Sequence, residues 1–512
     1  MSGDILAIDL GSSGLKVAVV DGEGRVNGSA SEPLPTIFTP DGGAEQDPEH
    51  WWSALGRCSR KAIAHAGIKS GDIEAVAVTT QYMSTLAIDA DGRPLTNVVM
   101  WMDSRGARFM DEVSTGENIA LWIDLHGLPP MGNCDLAHIA LLRHEYPDAD
   151  AAAAAYVEPV DYLTARLTGR ITATQNTAFP LMTVDNRTHG ATSHSAELME
   201  RAGIDPAKLP PLVPFDEIIG SVTAAAAEHL GITTRACVVA GTIDSITSAV
   251  GTGALDSTSC SIVVGTTSVM VTHIDEKRGD LDHGLTSIPS PLPGRYFVMA
   301  ENGVGGKALE FFLRNVVYAD DAFATGGLPV DAFERAAAVA ATAPPGANGV
   351  LFQPWLVGSM APVFDHDMRG GFLGLSLTSS RADMSRAIYE GVALNFGWLL
   401  RHVSAFTGTT YGSLRFGGGG AASDFWGQVM ADVMGVTVSR LSDPSMTNAR
   451  GAAFLALERL GRMTLDDIPS MLHVARVHQP EQSTRALYER LGERFVEFHS
   501  LARPFYAALN DV

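Results

Sequence analysis

The chain has 512 residues, of which 46% are hydrophobic and 18% charged, and a formal net charge of −22 at pH 7. That length suits roughly two to four domains, and no apolar run approaches the ~18 residues of a membrane span. Strong acidity excludes a generally basic nucleic-acid-binding surface, because neutralising phosphates takes clustered Lys and Arg. It does not exclude an anionic nucleotide held locally by backbone N–H groups and a metal ion.

The opening "MSGDILAIDLG" lacks the basic flank and apolar core of a signal peptide, so a cytoplasmic protein is expected. Its continuation, "DILAIDLGSSGLKVAVVD", reads as an apolar strand, a turn of Gly and Ser, and a second strand ending at "DGEG", a β-hairpin. In "EQDPEHWWSALGRCSRKAIAHAG", Asp47 is placed to cap a helix, with Pro48 at its first position and a Gly at its far end. Next come "IEAVAVTT", a buried strand, and "STLAIDADGRPLTNVVMW", where "DADGRP" turns the chain between two strands. The Ala-rich stretch "DADAAAAAYVEPVDYLTARLTGR" reads as loop and helix with Pro159 ending the Ala run, because Ala is the best helix former.

In "VVAGTIDSITSAVGTG" an apolar strand gives way to a small-residue helix, and Asp244 stands at the change. Asp there either caps the helix or carries chemistry. Farther on, "SCSIVVGTTSVMVTHI" repeats the opening design of strand, small-residue turn and strand, which hints at duplication. The stretch "RYFVMAENGVGGKALEFFLRNVV" reads as strand, glycine turn and helix, and "RADMSRAIYEGVALNFGWLLRHV" as a long helix. Last, "SLRFGGGGAASDFWGQVMADVMGVTVSRL" reads as strand, glycine turn, helix and strand. Two α/β domains joined near residue 250 are the economical reading.

Three turns suit phosphate or nucleotide contact: Gly11 to Gly14, Gly265 to Ser268 and Gly417 to Gly420. Small residues let backbone N–H groups approach phosphate oxygens, although tight turns between strands also need glycine. The chain carries no GxxxxGK[ST] loop, and "GGGGAA" lacks the acidic ribose partner of a dinucleotide fold. Asp9, just before the first turn, is placed either to hold magnesium waters or to form the turn itself. Lys16 faces phosphates or solvent. His-rich metal motifs, a GxSxG elbow and a Cys nucleophile motif are missing, which weakens hydrolase and metalloprotease readings. The cysteines Cys58, Cys134, Cys237 and Cys260 are scattered without CxxC spacing, indicating neither a zinc site nor a disulfide framework.

Taken together these motifs resemble the FGGY carbohydrate kinases over nearly the whole chain. "IDLGSSGLK" is similar to that family's first phosphate motif, "EQDPEHWW" to its early helix start, and "DGRPLTNVVMWMDSRG" to the stretch ending in its Trp and Asp-x-Arg. "VDYLTARLTGR" is similar to its central helix and "FGGGGAASDFWGQVMAD" to its adenosine motif. The most specific match is "GGFLGLSLTSSRADMSRAIYEG", where Gly370, Phe372, Gly374, Leu375, Asp383, Met384, Ala387, Ile388, Tyr389 and Glu390 fit the spaced family signature.

The resemblance implies an α/β fold of two RNase H-like domains of the actin-like ATPase and sugar kinase superfamily, with a cleft between them. Residues 1–250 would form the sugar-binding N-terminal domain, 251–475 the nucleotide-binding C-terminal domain, and 476–512 a C-terminal helical segment. It implies ATP and Mg2+ as cofactors and Asp244 as the catalytic base, ionised at neutral pH if its pKa is the ordinary ~3.9. Asp9 and Asp244 would hold the metal. Gly11, Ser12, Ser13, Lys16, Gly265, Thr266, Thr267, Asn302, Gly306, Gly418, Gly419 and Ala421 would meet the nucleotide.

On the acceptor side the resemblance implies Gln81, Tyr82, Met83, Asp103, Asp244 and Ser245, with Asp103 and Arg105 equally readable as an ordinary ion pair. Xylulokinases usually carry Gln-Met-His where this chain has Gln81-Tyr82-Met83, and "GSMAPVFD" replaces their "GERTP". The overall pattern is still closer to xylulokinase-like members than to glycerol kinase. The expected reaction is transfer of the ATP γ-phosphate to a small ketose such as xylulose, with a polyol or other small carbohydrate as the alternative acceptor. A non-catalytic sugar-binding regulator on the same fold is the rival of another class, and would be expected to lack Asp244, Asp9 or the glycine turns. The expected partners are the carbohydrate and ATP, with no nucleic acid and no membrane. A homodimer is compatible with the sequence.

Overall fold

Strand β1 (Asp4–Gly11) is buried from Ile5 to Leu10, and Asp9 is the one charged side chain in that run. A strand buried on both faces needs cover on each. Leu6, Ile8 and Leu10 pack with Trp51 and Leu55 of helix α1 (Pro48–Ala66), while Ile5 and Ala7 join a separate cluster described below. Helix α1 starts as its sequence dictates: the Asp47 side chain accepts the Glu49 N–H, Pro48 opens the helix, and Gly67 closes it at φ 68°.

The computed structural model describes residues 3–111, 113–322 and 325–510. Its first large sheet is built on β1, β2 (Gly14–Val20), β3 (Val26–Pro33), β4 (Ile73–Thr80), β5 (Ile218–Ser221) and β6 (Cys237–Val239), in the spatial order β5-β6-β4-β1-β2-β3. From β3 to β6 the successive pairings run antiparallel, antiparallel, parallel, parallel. After helix α2 (Asp244–Thr252), the second sheet uses β7 (Ser261–Val264), β8 (Thr267–Ile274), β9 (Tyr296–Val304), β10 (Ser413–Gly417) and β11 (Thr437–Leu441). From β9 through β8, β7 and β10 to β11 the pairings again run antiparallel, antiparallel, parallel, parallel. The two sheets therefore share one topology, and the two hairpins legible in the sequence occupy equivalent places in it.

The lobes are joined by a crossover. Helix α2 leaves the first lobe and packs against β7, β8 and β10 of the second sheet as well as β1 and β4. Helix α5 (Thr447–Arg459) returns from the second lobe to pack on β1, β2 and β4. Where α2 and α5 cross, a Cβ on Gly251 would collide with the Thr447 carbonyl oxygen, and one on Gly451 with that of Thr247. Only glycine permits that approach. The cluster at the crossing takes Ile5 and Ala7 from β1, Ile246 and Val250 from α2, Phe454 from α5 and Val271 from β8, so one core spans both lobes.

The long helix α3 (Arg381–Thr407) begins with a capping box between Ser380 and Asp383. Helix α4 (Asp424–Met434) follows the glycine turn after β10, and α6 (Arg485–Asn510) ends the described chain. The expected division at residue 250 falls inside α2, and that at 475 inside the edge strand Val474–His478. In the Ala-rich stretch, Pro147–Ala152 is helical but Ala155–Val157 is a strand paired with Leu86–Ile88, and Pro159 opens the helix Pro159–Thr168. Proline's preset φ suits the first helical position better than the last.

Candidate active site

The β1–β2 register sets Asp9 directly across from Lys16. The Lys16 Nζ lies 3.5 Å from Asp9 Oδ2, and Asn448 Nδ2, from α5, donates to Asp9 Oδ1 at 3.5 Å. The Asn448 amide oxygen in turn accepts the Ser248 hydroxyl at 2.5 Å, tying α5 to α2. Lys16 thus faces a carboxylate, which a solvent-facing reading would not require. Asp9 is buried, and that burial raises its pKa against the opposing pull of Lys16 and Asn448.

Asp244 arrives beside it through strand pairing. Residues Thr242 and Ile243 run parallel to Thr79 and Thr80 at the end of β4, and the Thr79 and Thr247 hydroxyls meet at 2.9 Å. Asp244 is the first residue of α2, with Ile243 in the cap position, and its Oδ1 accepts the Ser245 hydroxyl at 3.1 Å. The capping role open to it in the sequence is not the one it takes. Burial, and then the neighbouring Asp9 charge, push its pKa up to about 7. The carboxylate expected to be fully ionised at neutral pH is instead balanced between its two states there, a condition suited to proton exchange. Asp9, Gly11, Ser13, Lys16, Asp244 and Asn448 line a cavity of 370 Å³.

A larger cavity, 540 Å³, opens in the second lobe and takes in Gly265, Thr266, Gly306 and Gly419. Its backbone is tightly drawn. Gly265 accepts the Gly306 N–H at 2.9 Å, Thr266 accepts that of Gly305 at 3.2 Å, and Gly418 sits at φ 81°. A Cβ on Gly306 would stand 2.6 Å from the Gly265 oxygen, and one on Gly418 2.5 Å from the Val264 oxygen. The three glycine segments converge because side chains would keep them apart. Thr267 opens β8 beside this cavity and Ala421 is buried beneath the turn, whereas Asn302 is enclosed in the core with its amide unpaired. On the opposite turn, Ser12 Oγ accepts the Trp101 indole N–H at 2.9 Å.

On the acceptor side, the Gln81 N–H donates to the Leu10 carbonyl at 2.7 Å and its side chain donates to Gln46 Oε1 at 3.3 Å. Tyr82 is half-buried with its hydroxyl enclosed, and Met83 holds φ 59°. Asp103 is fully buried and is held by the Arg105 guanidinium, whose Nη2 also reaches Glu45 at 2.6 Å, and by the Ala44 N–H at 3.0 Å. These contacts make the ion pair that the sequence also allowed, close to Trp101. Sequence reasoning missed Asn448, which sits in an unremarkable helical run, and the aromatic wall of the larger cavity. There Tyr389 meets Phe425 and Trp426 edge-on, at ring-centre distances of 5.1 Å and 5.0 Å.

Two lobes of repeated topology around a cleft with paired carboxylates and converging glycine turns define the actin-like ATPase and sugar kinase architecture. The model of the FGGY family of carbohydrate kinases matches residues 5–251 by its N-terminal domain and 260–458 by its C-terminal domain, and the chain belongs to that family. A xylulose kinase of Staphylococcus epidermidis is 28% identical over 496 residues, covering 95% of this chain and 94% of the relative. A gluconate kinase structure from Lactobacillus acidophilus superposes with a TM-score of 0.85 at 23% identity, covering 99% of each chain. A ligand-bound xylulose kinase structure from the same organism has the same score, identity and coverage. The protein is an ATP-dependent carbohydrate kinase. No helix among the described residues is long and apolar enough to cross a membrane.

Proposed function

We propose that this kinase phosphorylates a small ketose such as xylulose, with Asp244 as the base that takes the proton of the acceptor hydroxyl. The observation that carries the assignment of the base is the placement of Asp244 beside Asp9 in the cavity of the first lobe, with its pKa pushed up to about 7. The ketose follows from the xylulose kinase relative that spans nearly the whole chain.

Phosphoryl transfer has a loose transition state whose charge spreads over the phosphate oxygens, so the protein's work is positioning and charge stabilisation. The acceptor oxygen forms its bond to the γ-phosphorus as the bond to ADP breaks, and the hydroxyl proton passes to an Asp244 carboxylate oxygen. Lys16 and the backbone N–H groups of the Gly11–Gly14 turn are suited to the developing phosphate charge. Gly265, Thr266, Gly306, Gly418 and Gly419 supply the small-residue surface on the nucleotide side. Residues 1–250 would serve the sugar, 251–475 the nucleotide and 476–512 as a helical close.

Among the described residues no group of three or more His, Cys, Asp or Glu is gathered to hold a metal. Two neighbouring carboxylates that repel each other, Asp9 buried and Asp244 half-buried, nevertheless fit magnesium, which keeps most of its waters and takes one or two carboxylates. Asp9 and Asp244 would hold it, and it would supply positive charge opposite the transferring phosphate. A polyol or another small carbohydrate is the second acceptor class, favoured by Tyr82 and Met83 in place of the residues usual in xylulokinases. An ATP-consumption screen against pentuloses, hexuloses, pentitols, tetritols, glycerol and aldonates, with Asp244→Ala as control, decides between them. Turnover of a ketose alone supports the ketose reading, turnover of a polyol or aldonate alone overturns it, and silence throughout overturns both acceptor classes.

A further inference from the structure

Gln46 touches both halves of the first-lobe site without lining the cavity that holds Asp244. It ends the strand Ala44–Gln46, next to the Asp47 cap of α1, and is 1% exposed. Every hydrogen-bonding position of its amide is filled. Nε2 donates to the Ser12 carbonyl at 2.7 Å and to the Thr36 hydroxyl at 3.0 Å. Oε1 accepts the Trp51 indole N–H at 2.9 Å and the Gln81 side-chain N–H at 3.3 Å.

These partners leave the amide a single orientation. An indole nitrogen only donates and a backbone carbonyl only accepts, so Oε1 must face Trp51 and Nε2 must face Ser12. The oxygen can then only accept from Gln81, which turns the Gln81 Nε2 toward it and fixes that side chain as well. A buried amide so saturated is held firmly, because each contact it gave up would leave a polar group closed off from water.

Ser12 and Gln81 belong to different parts of the site. Ser12 sits in the turn between β1 and β2, close to Asp9 and Lys16, which face each other across the hairpin. Gln81 continues β4 past Thr80, whose strand partner Ile243 precedes Asp244. The backbone pairing of β1 with β4 stops where the Gln81 N–H meets the Leu10 carbonyl, at 2.7 Å. The turn beyond Leu10 and the Gln81 side chain lie outside that ladder, and the Gln46 amide is what bridges them. We propose that Gln46 is a positioning residue that aligns the Gly11–Gly14 phosphate turn with the acceptor segment at Gln81, so that the transferring phosphate and the acceptor hydroxyl meet in register with Asp244. This role rests on the reading of the site given above.

Gln46→Met keeps the length of the side chain and deletes its hydrogen bonds. Gln46→Glu keeps an oxygen for Trp51 and Gln81 but, when ionised, has no proton for Ser12, and it tests the alignment if the Met variant fails to fold. Trp51→Phe is the control, since it takes one hydrogen bond from the same oxygen and leaves the Ser12 and Gln81 contacts in place. With ATP and xylulose at pH 8, kcat should fall at least about tenfold in both Gln46 variants, because a slight misplacement of reacting groups costs that much. Both KM values should stay within about twofold, since each segment still binds its own ligand and the alignment is felt in the transition state. Trp51→Phe should melt at a lower temperature than the parent and still keep kcat within about twofold. Hydrogen–deuterium exchange of the ligand-free full chain needs no acceptor: amides of residues 10–14 and 81–84 should both exchange faster in Gln46→Met, those of 10–14 alone in Gln46→Glu, and neither in Trp51→Phe. A Gln46 variant with the parent kcat, a raised KM in place of a lowered kcat, or a Trp51→Phe variant as slow as Gln46→Met overturns the alignment. If exchange changes as expected but the parent does not phosphorylate xylulose, the ketose reading fails instead, and kcat is read with the acceptor found in the ATP-consumption screen.

Discussion

Replacing Asp244 with Asn should abolish turnover and stabilise the protein above neutral pH. The carboxyl has an unfolded pKa near 3.8 and a folded pKa pushed up to about 7, by burial and by the charge on Asp9. An acid whose folded pKa is raised contributes its full stability below the unfolded value, and loses that contribution as pH rises through the folded one. A shift of ~3 units corresponds to about 4 kcal/mol. The side chain is partly exposed to the cleft, and solvent screening reduces this to about 1–2 kcal/mol. Asn keeps the acceptor for the Ser245 hydroxyl and carries no charge to desolvate. With an unfolding entropy of ~2.1 cal/mol/K per residue, 1 kcal/mol moves the melting temperature of a chain this long by ~1 °C, or ~2 °C if the lobes melt separately. Scanning calorimetry without nucleotide or metal should therefore find Asp244→Asn about 1–4 °C above the parent at pH 8, with the advantage gone at pH 4. Adding magnesium should narrow the gap at pH 8. An Asn variant no more stable at pH 8 than at pH 4, relative to the parent, would refute the raised pKa of Asp244.

Other consequences are as direct. Lys16 lowers the pKa of both carboxylates, so Lys16→Met should move the acid limb of the kcat/KM profile for the acceptor to higher pH; an unmoved limb would place Lys16 outside the electrostatics of the base. Gly418→Ala forces a side chain onto φ 81° and to 2.5 Å from the Val264 oxygen, so the ATP KM should rise several-fold and stability fall by about 1–3 kcal/mol. Gly451→Ala drives α5 away from α2 and should lower the melting temperature more than Gly418→Ala does, since the crossing core holds both lobes together.

The fold was legible because its signals are local. The Asp47-Pro48 start and Gly67 end of α1, the two hairpins and the glycine turn before α4 all follow from residues close in sequence. Pro159 was misread for the opposite reason. Its place at a helix start depends on Ala155–Val157 pairing with a strand nearly seventy residues earlier, Leu86–Ile88, and no local pattern carries that contact. The site was legible only as far as its motifs reach. Asp9 and Asp244 stand at transitions that composition marks, whereas Asn448 joins them only because α5 crosses between lobes. Asn302 lies in β9, buried and outside the residues that line the larger cavity. The family signature is the most specific stretch of the sequence, yet its charged residues are structural. Glu390 accepts the Arg386 Nε–H at 2.6 Å, the Tyr488 hydroxyl at 2.7 Å and the Gly346 N–H at 3.0 Å, binding α3 to α6 and to the preceding loop.

The repeat also explains why chemistry is concentrated in one lobe. Asp9 and Lys16 face each other across the first hairpin, two positions outside Gly11 and Gly14. In the second hairpin the residue two before Gly265 is Val263, and it pairs with Val269. Both valines pack onto the apolar core at the α2–α5 crossing. Equivalent cross-strand positions thus hold a charged pair in one copy and an apolar pair in the other. The apolar pair adds to the contact that joins the lobes, while the charged pair costs desolvation that packing does not return. Such a cost is tolerated where a charge has work to do, and here it lies in the cavity that also contains Asp244. The second lobe, relieved of acid at its turn, lets the Val264–Thr266 backbone meet Gly306 and Gly418 closely enough to frame a mostly small-residue and aromatic pocket. The two hairpins thus differ at one cross-strand pair, charged beside the first cavity and apolar beside the second.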